Sequence, residues 1–151
     1  MQLAHYLGLL HRAEAHLADA FREVGDAHAD EADVFQICDT LARECDRHAE
    51  ELGPFARRYG EDASEEPARL HSELFSGTRE GPLGLLRDLQ DLYLMATECD
   101  IAWTLVGQAA QGARDPDLFA VVQACEGETA TQLKWLKTRM KQAAPQTLVV
   151  A

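Results

Sequence analysis

From Val34 to Tyr59 one pattern runs without a break. Val34, Cys38, Leu41, Cys45, His48, Leu52, Phe55 and Tyr59 recur at alternating steps of four and three. Steps of that kind hold a stripe on one side of an α-helix, so a long helix facing a bundle core is predicted here. Three more stripes follow the same rule. Leu3, Leu7, Leu10, Glu14, Leu17, Phe21 and Val24 form one, and Leu85, Leu89, Leu92, Ala96, Cys99, Trp103, Val106 and Ala110 another. Leu118, Val121, Cys125, Glu128, Gln132 and Trp135 read as the fourth. Val, Ile and Thr are sparse while Ala, Leu, Glu and Arg abound, which favours helix throughout.

Stop and start signals bound these stripes at about residues 2–25, 31–59, 82–111 and 116–142. Asp30 reads as the N-cap of the second helix, with Glu31 and Asp33 in its first turn and Gly60 just past its end. Gly81-Pro82 opens the third helix, Gly112 closes it, and Asp115-Pro116-Asp117 reads as cap, first-turn proline and acid of the fourth. Residues 144–151 read as a frayed tail. The connection between the second and third helices, about residues 60–81, is rich in Glu, Ser, Gly and Pro; a short helix near Glu65–Phe75, capped by Ser64, is expected within it.

The expected fold is all-α: one four-helix-bundle domain made of two antiparallel hairpins. Helices of nearly 30 residues are roughly 42 Å long at about 1.5 Å per residue. A connection of this length can span them, so a full-length crossover is favoured over an up-down bundle with a long loop.

A net charge of −12 with no basic stripe argues against nucleic acid as a partner. No apolar run approaches the roughly 18 residues of a membrane span. The apolar N-terminus is interrupted by His5 and followed by no cleavage pattern, so a cytoplasmic chain is expected. Cys38, Cys45, Cys99 and Cys125 include no C-x-x-C pair and fall on the stripes, the pattern of reduced, buried thiols. No phosphate-binding glycine loop, nucleophile elbow or catalytic triad pattern occurs.

The chemistry sits inside the stripes. Glu14 lies mid-stripe, where a carboxylate costs several kcal/mol unless paired or bound to a cation. Glu14 and Cys45 stand at about equal distances from the first hairpin turn, and Glu98 and Glu128 at about equal distances from the second, so each pair is expected at one height. Cys45 and His48, at i and i+3, share a face. Trp103, Trp135, Phe55 and Tyr59 read as core packing, and His5, His16, His28 and His71 as surface or helix-end residues.

An acid on the first helix, a two-residue i, i+3 motif on the second, a long crossover and then the same again resembles the ferritin-like superfamily. Its di-iron site takes one Glu from each of two helices and Glu-x-x-His from each of the other two. The resemblance implies metal ligation by Glu14, His48, Glu98 and Glu128, with Cys45 standing where a Glu belongs and Thr131 where a His belongs. Cys99, Cys125 and His11 are further candidates. The implied cofactor is a metal ion, iron in the family, with zinc or copper as alternatives because of the thiolate; a bundle holding none stays open equally. Storage, sensing or oxidative chemistry would follow from a metal, and a homo-oligomer is expected. The rivals are a metal-free bundle acting by association and a redox sensor using Cys45 or Cys99.

Overall fold

A computed structural model describes residues 2–60 and 74–150. It contains the four helices α1 (Gln2–Ala27), α2 (Ala32–Arg58), α3 (Gly81–Gly112) and α4 (Pro116–Leu148). Among the described residues no helix is long and apolar enough to cross a membrane. α1 packs along α2, and α3 along α4, as two antiparallel hairpins.

Contacts between the hairpins fix the topology. Glu14 meets Trp103 and His28 meets Asp88, so α1 and α3 run antiparallel. Asp33 meets Arg139 and Arg58 meets Asp115, so α2 and α4 do too. α2 therefore ends beside Asp115, whereas Arg79, just before α3, bonds Asp88 and Asp91 near His28 at the opposite end. The connection joins opposite ends of the bundle, as the expected crossover requires. The short helix expected near Glu65–Phe75 falls almost wholly outside the described residues; Leu74 and Phe75 are not helical.

The predicted stripes of α1, α2 and α3 are the core, with only Leu3 and Tyr59 at the half-buried ends. In α4 the stripe is corrected. The buried residues are Leu118, Val122, Cys125, Thr129, Gln132 and Leu136. Both step orders share Leu118, Cys125 and Gln132, so periodicity alone left the intermediate positions ambiguous. Thr129 can enter the core because its hydroxyl donates to the Cys125 carbonyl one turn back (2.8 Å). Glu128 and Trp135 stay half-buried at the rim.

Two terminal assignments also change. α4 runs through Pro145 to Leu148 rather than stopping near residue 142. Ala143 and Ala144 favour helix, and the Pro145 carbonyl accepts from the amides of Val149 and Val150. Glu31, not Asp30, is the N-cap of α2, and its side chain makes no cap bond. The turn is closed by the Glu31 amide on the His28 carbonyl (3.0 Å), while Glu31 and Asp33 hold Arg139. The other punctuation stands: Gly60 is left-handed (φ 75°), and Asp115 accepts from the Leu118 amide at 3.1 Å.

Each hairpin closes tightly at a glycine. A Cβ on Gly25 would sit 3.1 Å from Cys38 Cβ, and one on Gly107 would sit 3.0 Å from a methyl of Val122.

Both ends are fastened by a buried aspartate. Asp88, fully buried, accepts from the Arg79 amide (3.0 Å) and guanidinium (2.8 Å) and pairs with His28 Nε2 (2.8 Å). His28 is thus a helix-end residue, as expected, but a buried one. At the other end Asp115 accepts from Tyr59 Oη (2.7 Å) and Arg58 (2.9 Å) besides capping α4. Asp88→Ala orphans two donors and should lower unfolding free energy by about 2–4 kcal/mol. Urea unfolding checks this, with exposed Asp39→Ala expected to stay within about 0.5 kcal/mol of the parent.

Candidate functional site

At mid-height the stripes change character. The side chains turned inward there are Glu14 on α1, Cys45 and His48 on α2, Cys99 and Trp103 on α3, and Thr129 and Gln132 on α4, all buried. One hydrogen-bond chain ties Trp103, Glu14 and His48 together and runs on to Glu128. The Trp103 indole N–H donates to Glu14 Oε1 at 2.8 Å. His48 Nδ1 lies 3.3 Å from the same oxygen, and His48 Nε2 lies 3.1 Å from Glu128 Oε1. Arg47 holds both oxygens of Glu128 from outside. His48 also meets Trp103 edge to face, with ring centres 5.9 Å apart.

With a carboxylate oxygen before each ring nitrogen, the doubly protonated ring donates in both directions. Burial by itself would lower the His48 pKa; the hydrogen bonds and charges of Glu14 and Glu128 outweigh it and raise the value above the ordinary 6.5. For Glu128, burial pushes up, but Arg47 and His48 pull its pKa below 4.5. The thiols behave oppositely. Burial, reinforced by the Glu14 charge, holds Cys45 and Cys99 well above the ordinary thiol range. Cys38, buried near Asp33, is pushed up to about 12, and Cys125 is raised by burial and by Glu51, whose Oε2 accepts its S–H at 3.4 Å. All four cysteines are free and buried, and so poor nucleophiles.

One atom is left over. Glu14 Oε2 is buried and has no hydrogen-bond partner among the described residues. Gln132 donates to Glu44 Oε1 (3.1 Å) and sits 3.7 Å from Cys45 Sγ, so its amide is already engaged.

The expected ligands divide. Glu14, Cys45 and His48 come together as the hairpin register predicts, and Glu128 reaches His48 from the rim. Glu98 does not join them: it is half-buried in a groove between α1 and α3 with Leu9, Ala13 and Met95, while Cys99, the next residue, faces inward. Cys125 bonds Glu51 instead, and His11 is half-buried without a bond to Glu14 or His48. In both α3 and α4 the acid lies one residue from the core, and an uncharged Cys or Thr takes the inner place, sparing the core two more carboxylates. Among the described residues no three His, Cys, Asp or Glu side chains are arranged to hold a metal ion. Sequence reasoning passed over Trp103 as a donor to Glu14, although it shares the α3 stripe one turn beyond Cys99. No known protein family, curated protein or solved structure matches the chain.

The His48 pairing is complete below pH 6.5, where folded and unfolded chains both hold the proton, and is lost as pH rises through the raised folded value. The Glu128 pairing is complete above pH 4.5 and is lost as pH falls through its lowered folded value. An NMR titration of His48 should therefore inflect above 6.5 in native protein, and Glu128→Gln should move the inflection down. A thiol reagent should find no reactive cysteine in native protein and all four after denaturation. Rapid native labelling of Cys45 or Cys99 would revive the sensor reading.

Proposed function

We propose that this chain is a ferritin-like bundle that binds a single metal ion at mid-height through Glu14, Cys45 and His48, with Glu128 at its edge. The reading rests on Glu14 Oε2, a buried carboxylate oxygen without a hydrogen-bond partner among the described residues, beside an imidazole and thiols. Such an oxygen costs several kcal/mol, and a cation is one way to recover it. The donor set does not suit a carboxylate-bridged metal pair, because Cys99, Thr129 and Gln132 hold inner places and Glu98 lies outside. One carboxylate, one imidazole and thiolate suit one borderline ion, zinc or iron, with copper(I) if a second thiol takes part. When bound, the ion would supply a fixed positive charge among these groups. Burial on every side favours retention or sensing over turnover. The reading includes a cytoplasmic, self-associating protein; four free buried thiols accord with a reducing compartment.

A second reading has its own support. Both His48 nitrogens are engaged, and among the described residues no three donors converge, as in a metal-free bundle whose polar centre sets helix register.

Metal analysis of protein purified without chelator, followed by titration with zinc and with cobalt(II) as a spectroscopic probe, separates the two. The proposal expects about one equivalent, a sulfur-to-cobalt charge-transfer band, and loss of both in Glu14→Gln and Cys45→Ser with helicity retained. Zinc at about 100 times its Kd should add about 2.7 kcal/mol of stability. Stoichiometry near zero leaves the metal-free bundle.

A further inference from the structure

The outer side of α3 inverts the usual arrangement. Leu94, Ile101 and Leu105 are 49%, 55% and 46% exposed and lie on one side of the helix. Beside them, between α3 and α1, run two grooves. One is lined by Tyr6, Leu9 and Ala13 with Leu94, Ile101 and Leu105, and the other by Leu3 and Tyr6 with Leu105 and Ala109. Tyr6 and Leu105 belong to both, so the grooves form one face. It reaches from Leu94 to Ala109, about 22 Å at about 1.5 Å per residue.

Of the described residues lining the two grooves Glu98 alone is charged, in a chain of −12. From Ile101 to Gly112 α3 carries no Asp, Glu, Lys or Arg, and neither does α1 from Gln2 to His11. α2, by contrast, carries Asp33, Asp39, Arg43, Glu44, Asp46, Arg47, Glu50 and Glu51 along its length.

We infer that this α1/α3 face is where two copies of the chain meet. Two acidic copies repel each other through most of their surface, and here their approach brings few charges together. The face also complements itself. A ridge (Ile101 and Leu105) lies beside a groove (Tyr6, Leu9 and Ala13), so a two-fold axis can seat each copy's ridge in the other's groove. A basic protein would be drawn to the acidic faces instead, and the net charge disfavours an anionic lipid surface. Two helices of about 10 Å diameter offer a face about 20 Å wide and about 22 Å long, about 440 Å² and below the roughly 800 Å² per partner of a standard interface. The dimer is therefore weak and reversible. The inference deepens the self-association in the reading above and does not depend on the metal.

Sedimentation velocity over a roughly hundredfold concentration range about 10 µM is the test. The parent chain should pass from monomer to dimer. Ile101→Glu and Leu105→Lys, both at exposed positions, should each raise the dissociation constant at least tenfold while keeping the parent's helicity and melting temperature. Leu83→Ser, at an exposed position nearer the other end of α3, should leave it unchanged. A parent monomeric throughout overturns the inference, as does a dimer indifferent to both α3 variants, which would leave self-association standing on another face. Ile101-dependent binding of monomer to phosphatidylcholine vesicles would also overturn it by assigning the face to lipid. Metal stoichiometry on the same samples keeps the two proposals apart: Glu14→Gln should dimerise like the parent.

Discussion

A carboxylate on α1 that has left water organises the middle of this bundle. Glu14 receives the indole N–H of α3 and faces the imidazole of α2, which turns its other nitrogen toward Glu128 of α4. All four helices are joined through one short path. Apolar stripes of equal spacing can slide past one another by a turn with modest loss, whereas a directional bond to a buried carboxylate tolerates no such slip. The polar centre costs desolvation and contributes a unique alignment.

The same economy recurs at the ends. Asp88 gathers the α1–α2 turn and the segment entering α3, and Asp115 gathers the end of α2 and the start of α4. Each is an aspartate whose oxygens are divided among donors from separate parts of the chain, which is what makes its burial tolerable. These ties also account for the crossover, because the chain leaving α2 at one fastening enters α3 at the other.

Charge is distributed unevenly inside and out. The core holds ionisable groups at its centre, and the outside of α3 holds leucine and isoleucine. The first arrangement suits a bound cation or proton in a closed place; the second suits a partner that keeps water off an apolar strip. Both depart from what folding alone asks of a helical bundle, and so they are where function is sought.

The four long helices, their approximate extents, the caps at Gly60 and Asp115 and the meeting of Glu14 with Cys45 and His48 were legible in the sequence. Each follows from local period or from counting along a hairpin of known rise. Other features depended on packing. For α4 two step orders share every second buried residue, and only contact with α2 places Thr129 inside and Glu128 at the rim beside Arg47. In α3 the stripe itself put Cys99 inward and Glu98 one residue beside it; only the resemblance counted Glu98 among the ligands. Asp88 with His28, sixty positions apart, and Trp103 with Glu14, eighty-nine apart, carry no local mark of their pairing. Periodicity thus determined which faces are buried, to within one residue of rotation. That last rotation, which decides whether a charge enters the core, is set by the neighbouring helices and is therefore tertiary.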